Sequence, residues 1–75
     1  MEKDLTFSRA LELVKVVGTR IARSGWNGKG MWVALEPQSA DGNKLAFLYM
    51  KTVTGQHVPW LASQTDILAD DWCTV

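Results

Sequence analysis

The stretch RIARSGWNGKGMWVALE, residues 20–36, places an Asn-Gly pair at 27–28 between two short apolar segments. Asn-Gly is the residue pair most favoured in a two-residue β-hairpin turn, because both residues accept the backbone angles that the turn requires. Apolar and mixed positions alternate in residues 31–36, so that Val33 faces one side of a strand and Trp32 faces the other. The stretch therefore predicts a strand, a tight turn and a second strand that pairs antiparallel with the first.

An amphipathic segment precedes this hairpin, in residues 5–18, LTFSRALELVKVVG. Its apolar side chains recur at helical spacing and predict a helix over residues 7–17. Thr6 is a suitable N-cap, and Gly18 stands where a helix C-cap is expected. The apolar face is wider than one stripe, so we expect the helix to be mostly buried or shared with a neighbouring subunit.

Four further segments complete the outline. Residues 45–51, LAFLYMK, are typical of a strand that is apolar on both faces and covered on both, and a partner subunit is expected to supply the second cover. A turn within residues 52–60 leads to an edge segment, because Pro59 cannot donate a hydrogen bond to a sheet. The SQTD pattern at 63–66 predicts the start of a short helix, and DWCTV, at 71–75, predicts a final strand.

These elements predict an α+β fold in a single domain, residues 1–75. We expect a small antiparallel sheet of about four strands packed by one N-terminal helix, with a short helix or turn near the C-terminus. A chain of this size buries only about 60–65% of its unfolded-state surface, so its own core is marginal. One cysteine, Cys73, and one histidine, His57, can form neither an intrachain disulfide nor a structural zinc site. We therefore expect no metal and no cofactor, and oligomerisation as the remaining source of burial.

Charge and hydropathy exclude two classes of partner. Eight basic and eight acidic residues cancel, and no run of lysine or arginine is present, so we expect no binding to polymeric nucleic acid. Nothing approaches the stretch of about 18 apolar residues that spans a membrane, and no signal peptide is evident. The unpaired cysteine agrees with a reducing compartment. We expect a cytoplasmic protein with no membrane partner.

The residues that could support catalysis are few. His57 lies in a polar turn, where a solvated histidine is expected, and Cys73 follows a tryptophan in a strand, where a small buried hydrophobe is expected. Asp66 completes the helix-start pattern, and Asp70 reads as a solvated charge. Asp71, between that helix and the last strand, has no such explanation. Without a base paired with a nucleophile, we expect no enzyme activity.

A binding site requires less: flat rings, amides and a cation. Within the sequence GWNGK, Trp26 offers a ring face, Asn27 a donor and an acceptor, and Lys29 a positive charge. The alternative is that this segment is only a turn and that Trp26 packs against the sheet. Flat aromatic surfaces suited to stacking or subunit contact are abundant, because the chain contains four tryptophans, at 26, 32, 60 and 72.

Two longer blocks carry a family resemblance. RSGWNGKGMWVAL, residues 23–35, and YMKTVTGQHVPWLASQTDILADDW, residues 49–72, resemble the signature blocks of the phage-encoded second Thoeris anti-defence proteins. The opening helix and strand, residues 6–23, resemble that family as well, so the likeness covers residues 6–72. The chain departs from the family in residues 36–47, where its loop is shorter than in many members.

The resemblance implies a sponge rather than an enzyme. Members of the family bind and sequester the glycocyclic ADP-ribose signal of Thoeris immunity without degrading it, and some also capture the cyclic dinucleotides of CBASS. They assemble as homotetramers, with ligands in recesses between subunits, and this chain would act in the cytoplasm of an infected bacterium. Two alternatives stay open, a protein-binding inhibitor of a defence enzyme and a nucleotide hydrolase.

Site residues follow from the same resemblance. Trp26 would provide a stacking surface, and Asn27 an amide that reads a base or a ribose. The polar groups expected near the mouth of the recess are Gln64, Thr65, Asp66 and Asp71. The candidates for binding the diphosphate are Arg20, Arg23, Lys29 and Lys51. Trp60 and Trp72 are expected to pack in the core or at an interface, whereas Trp32 stays unassigned.

Overall fold

The computed structural model describes residues 2–26 and 30–75, which form two helices, five strands and one 3₁₀ turn. The strands follow the order β4-β3-β2-β1-β5, and every neighbouring pair is antiparallel. The α+β prediction is therefore confirmed, with five strands in the described residues instead of about four. In chain order the elements are α1 (Phe7–Val14), β1 (Ile21–Arg23), the 3₁₀ turn (Ser24–Trp26), β2 (Trp32–Glu36), β3 (Phe47–Lys51), β4 (His57–Pro59), α2 (Gln64–Leu68) and β5 (Trp72–Thr74).

Helix α1 begins as predicted and ends earlier. The Thr6 hydroxyl accepts a hydrogen bond from the Arg9 backbone N–H at 3.2 Å, which caps the helix. The predicted end at residue 17 is wrong, because the helix stops at Val14. Val16 and Val17 are exposed and have no core to pack against, and β-branched residues propagate a helix poorly without such packing.

The core lies between α1 and one face of the sheet. Its fully buried side chains are Ala10, Val14, Ile21, Val33 and Trp72. Ile21 and Val33 are directly paired on β1 and β2, so they present one continuous apolar surface to the helix. Burying a side chain of this size stabilises the fold by roughly 1.5–3 kcal/mol.

The connection between β1 and β2 differs from the predicted two-residue hairpin. β1 ends at Arg23 and β2 begins at Trp32, so residues 24–31 connect the two strands. The Ser24 backbone N–H continues the β1–β5 ladder by donating to the carbonyl of Asp71, at 3.0 Å, and the chain then bends in the Ser24–Trp26 turn instead of continuing beside β2. The Asn-Gly pair itself lies outside the described residues.

The C-terminal third follows its local signals. The Ser63 hydroxyl accepts from the Asp66 backbone N–H, and the Asp66 carboxylate accepts from the Ser63 N–H, which is the predicted capping box. β4 lies at the sheet edge, where Pro59 is tolerated. β5 forms the opposite edge and pairs with Leu5 through two backbone hydrogen bonds. Neither helix of the described chain has the length and apolarity to cross a membrane.

The second face of the sheet carries no helix in the described part of the chain. Strand alternation places Ala22, Trp32, Tyr49, His57 and Cys73 on this side, which we call the open face. The second cover of β3 was expected from a partner subunit, and that expectation stays a prediction.

Candidate functional site

A cleft of about 280 Å³ opens where β1 and β5 meet the 3₁₀ turn. Most of its wall is apolar, and Trp26 and Trp32 stand on either side of Gly30 and Met31 along the chain. The described walls comprise Ala22, Arg23, Ser24, Trp26, Gly30, Met31, Trp32, Cys73 and Val75. This arrangement suits a flat or partly apolar molecule better than a bare anion.

The ring of Trp26 is held from behind by other aromatic residues. Its centroid lies 5.5 Å from that of Trp72, and the two ring planes meet edge to face at 77°. Trp72 is fully buried, and Trp60 and Phe7 pack against it with centroids 5.9 and 5.5 Å away. Trp60 and Trp72 therefore pack in and against the core, as expected, while Trp26 is half-buried and lines the cleft.

Arg23 is held between two carboxylates. Its Nε donates to Oδ1 of Asp71 at 2.9 Å, and its Nη1 donates to Oδ1 of Asp66 at 3.0 Å. The exposed fractions of the three side chains are small, 21% for Arg23, 14% for Asp66 and 28% for Asp71. We call these three residues the Arg23 clamp. Charge-assisted hydrogen bonds in such partly buried surroundings are stronger than those between surface groups.

The second oxygen of Asp71 binds the 3₁₀ turn. Oδ2 accepts from the Gly25 backbone N–H at 2.9 Å and from the Ser24 hydroxyl at 3.3 Å. Both carboxylate oxygens of Asp71 thus have protein donors. The clamp joins the end of β1, the turn that carries Trp26, the residue before β5 and the start of α2.

The clamp lowers the pKa of both carboxyl groups. At Asp71 the main cause is the hydrogen bond from Arg23, which outweighs the opposing effect of burial, and Gly25 adds to it. At Asp66 burial alone would raise the pKa, but hydrogen bonds from Ser63 and Arg23 outweigh it and the net pKa is below its usual value. The same bonds, from Asp71 and then Asp66, raise the pKa of Arg23. All three groups are therefore charged at neutral pH.

The predicted ligand residues separate into two sets. Arg23, Asp66 and Asp71 come together, but chiefly with one another. Gln64 and Thr65 are exposed on α2 and are absent from the described walls of the cleft. Their roles in ligand binding stay predictions.

Asn27 and Lys29 lie outside the described residues, although both flank the cleft in sequence. The structure places their neighbours Trp26 and Gly30 in its wall. Their predicted roles, an amide that reads the ligand and a cation for phosphate, stay predictions.

Two other cations lie beside Trp32. The Cζ atom of Arg20 is 5.3 Å from the Trp32 ring centroid, and Lys51 is the residue paired directly with Trp32 across the sheet. The Lys51 ammonium donates to the Gly30 carbonyl at 3.1 Å. Neither cation forms an ion pair with a carboxylate in residues 2–26 and 30–75.

An aromatic group on the open face was missed by sequence reasoning. His57 is exposed, as expected, but its ring lies 4.6 Å from that of Tyr49 and 6.0 Å from that of Trp32. These residues come from three neighbouring strands. Only the strand register could have revealed the group, because Tyr49 and His57 each occupy an ordinary position in the sequence.

Comparison with known proteins gives two matches over nearly the whole chain. Residues 5–75 match the family described as Thoeris anti-defense 2-like domain, Tad2-like. Thoeris anti-defense 2 of Bacillus phage SP01 is 34% identical over 86 aligned residues, and the match covers 96% of each chain. The matched residues thus span α1, the entire sheet and the positions that form the cleft and the Arg23 clamp, and are not confined to a short motif.

Proposed function

The chain belongs to the Thoeris anti-defense 2-like family, and from that premise we propose that it is a phage anti-defence sponge. It binds glycocyclic ADP-ribose, the signal of Thoeris immunity, and sequesters it without degrading it in the cytoplasm of the infected bacterium. The observation that supports this best is the cleft walled by Trp26 and Trp32. Ring faces of this kind stack a nucleobase, with each stacked base contributing about 1–3 kcal/mol.

The cleft of one copy is too small to enclose the whole of such a ligand. Pockets that enclose small molecules measure roughly 300–1,000 Å³, and the cleft in one copy is about 280 Å³. A base with its ribose fills it, so the diphosphate extends beyond the described wall. This supports a recess completed by a second copy.

The proposed contacts follow from placing the base and ribose in the cleft and the diphosphate beyond it. Trp26 stacks on the base, Asn27 reads a base edge or ribose, and Lys29 reaches the diphosphate. Arg20 and Lys51 are better diphosphate ligands than Arg23, because two carboxylates already neutralise Arg23. Gln64 and Thr65, near the N-terminus of α2, contribute polar groups at the recess mouth in the assembly.

Assembly as a homotetramer is part of the proposal. Large apolar side chains are exposed on the single copy, among them Leu61 at 93% and Leu68 at 79%. Leu61 precedes α2 and Leu68 is its last residue, so both ends of this short helix offer apolar area to another subunit. Burial there would supply the stability that a 75-residue core lacks.

A capture-and-release experiment tests the sponge. The protein is incubated with glycocyclic ADP-ribose, free ligand is removed by filtration, the protein is heat-denatured, and the supernatant is analysed by mass spectrometry. Intact ligand is expected in near-stoichiometric amount. A cleaved product would instead indicate a nucleotide hydrolase, and absence of retained nucleotide would reject the sponge.

A calorimetric titration with cyclic dinucleotides, run in parallel, tests whether CBASS signals bind as well. Binding to the wild-type protein after saturation with glycocyclic ADP-ribose would indicate separate sites. A pull-down of a defence enzyme without any small molecule would support the alternative of a protein-binding inhibitor.

A further inference from the structure

We infer that Asp71 is a positioning residue: together with Arg23 it fixes the Ser24–Trp26 turn so that the Trp26 ring forms the cleft wall. The inference rests on the proposed function, in which Trp26 stacks on the ligand. It assigns Asp71 a different role from the direct ligand contact that the family resemblance implied.

The hydrogen bonds of Asp71 support this assignment. One carboxylate oxygen accepts from Arg23 Nε at 2.9 Å, and the other accepts from the Gly25 backbone N–H at 2.9 Å. The Asp71 main-chain carbonyl also accepts from the Ser24 backbone N–H at 3.0 Å. Asp71 therefore binds the two residues directly before Trp26, through both its side chain and its backbone. A ligand hydroxyl would have to compete with donors that are already in place.

Gly25 shows how closely the carboxylate approaches the turn. A Cβ atom built on Gly25 would lie 3.1 Å from Oδ2 of Asp71. The φ angle of Gly25 is not in the left-handed region, so only space disfavours a side chain here, because the carboxylate would have to move by a few tenths of an ångström. The hydrogen bond between Asp71 and the turn thus depends on the residue type at two positions, Gly25 and Asp71, which are 46 residues apart.

Arg23 extends the support to α2 and to the tryptophan behind Trp26. Its second bond reaches Asp66, whose carboxylate is also the acceptor in the capping box of α2. The indole N–H of Trp72 donates to the Asp66 carbonyl at 2.9 Å, and the Trp72 ring packs edge to face against Trp26. Trp26 is consequently fixed by hydrogen bonds to the two residues before it and by aromatic packing against its ring. Such rigidity favours binding because less conformational freedom is lost when the ligand enters.

The experiment makes two separate measurements: the position of Trp26 in the ligand-free protein, and the capture of ligand. The variants are Asp71→Asn and Asp71→Ala, with Asp70→Asn as the matched control, because Asp70 is exposed and makes no side-chain hydrogen bond in the described residues. Two readouts report on the ligand-free protein: the NMR signal of the Trp26 indole, assigned by its loss in Trp26→Phe, and hydrogen exchange at the Gly25 amide. A third readout, the Kd for glycocyclic ADP-ribose, reports on ligand capture.

In Asp71→Ala we expect the ligand-free Trp26 signal to shift or broaden and the Gly25 amide to exchange at least about tenfold faster. Capture should weaken by about tenfold to a hundredfold, since hydrogen bonds to charged groups are lost. Asp71→Asn should show smaller changes in the same direction. Asp70→Asn should match wild type in all three readouts.

A direct ligand contact predicts a different pattern and would overturn the inference: capture lost in Asp71→Ala while the Trp26 signal and Gly25 exchange stay as in wild type. Unchanged capture together with a displaced Trp26 signal would also overturn it. If wild type itself fails to bind glycocyclic ADP-ribose, the proposed function fails, yet the Trp26 and Gly25 signals still decide whether Asp71 positions the turn.

Gly25→Ala provides an independent test in case the Asp71 variants unfold. It leaves every charge in place and moves the Asp71 carboxylate away from the turn by a few tenths of an ångström, so the Trp26 signal should move while the Trp32 and Trp60 indole signals stay. A Trp26 signal unchanged in Gly25→Ala, with the fold intact, would contradict the inference.

Discussion

Two arginines of this chain stand beside tryptophans, and their surroundings differ. Arg23 is paired across the sheet with Trp72 and is bound by Asp66 and Asp71, whereas Arg20 lies over the Trp32 ring with no carboxylate bound to it in the described residues. A guanidinium between two carboxylates holds chain segments together. One that contacts only a ring keeps its donors available for an anion. The pairing of each arginine therefore indicates which one maintains the site and which one can bind a ligand.

The largest expected effect is loss of the clamp itself. Arg23→Ala leaves two carboxylates, each less than a third exposed, without their cation, and we expect the free energy of unfolding to fall by about 2–3 kcal/mol. Urea denaturation measures this as a lower midpoint at unchanged slope. Arg9→Ala is the matched control, because Arg9 also lies between two carboxylates, Glu2 and Glu12, but is half exposed.

We expect Arg9→Ala to change stability by less than about 1 kcal/mol, the usual range for surface ion pairs. Equal losses in Arg9→Ala and Arg23→Ala would mean that partial burial adds nothing to the clamp.

Truncation of the cleft wall should separate binding from folding. Trp26→Ala removes the proposed stacking surface, so capture of glycocyclic ADP-ribose should weaken by about tenfold to a hundredfold. The oligomeric state, measured by light scattering, should stay as in wild type. Dissociation or unfolding of the variant would show that Trp26 serves packing rather than binding.

Local sequence signals predicted the parts of this fold that local interactions determine. The Thr6 N-cap and the Ser63 capping box were correct, because each depends on residues within three positions. The antiparallel pairing of β1 with β2 was correct, but the two-residue connection was wrong, because residues 24–26 form a separate turn that is bound by the Asp71 side chain, 46 residues from Gly25 in the chain. No pattern within residues 20–36 contains that partner.

The same limit applies to the candidate site: single residues could be selected from the sequence, but their contacts with distant residues could not. Trp26 could be selected from the sequence as a candidate ring, and it does line the cleft. Arg23 and Asp71 were selected as ligand groups from the family resemblance, which does not show that the two residues bind each other. Their mutual bond, across 48 residues, becomes visible only once β1 and β5 are paired.

The available cation should affect binding without affecting the fold. Arg20→Ala is expected to weaken capture of glycocyclic ADP-ribose by about threefold to tenfold and to change stability by less than about 0.5 kcal/mol. The loss should shrink as salt is raised, because Arg20 is exposed and its attraction to a diphosphate is screened. Capture that is insensitive to both Arg20→Ala and salt would place the anionic part of the ligand elsewhere.

Acid should weaken the clamp before it alters the rest of the fold. The pKa values of Asp66 and Asp71 are lower in the folded protein than in the unfolded chain, so the unfolded state binds more protons in the acid range. Their stabilising contribution is complete above about pH 4 and is lost as the pH falls through the folded-state pKa values. We expect the stability difference between wild type and Asp71→Asn to narrow over that interval, measured by urea denaturation at successive pH values.

Other charged groups near Asp71 must be separated from this effect. Lys3 and Asp4 line a smaller cleft together with Asp71, so a second carboxyl group and a cation lie close to the clamp. The measurement is therefore repeated in an Asp4→Asn background, where the narrowing should persist if it arises in the clamp. Asp70→Asn is measured in parallel as the matched carboxyl variant outside the clamp. A difference in the free energy of unfolding that stays constant down to pH 2 would mean that the bond from Arg23 does not favour the ionised form of Asp71. The electrostatic surroundings of Arg23 and of Arg20 would then differ less than their geometry indicates.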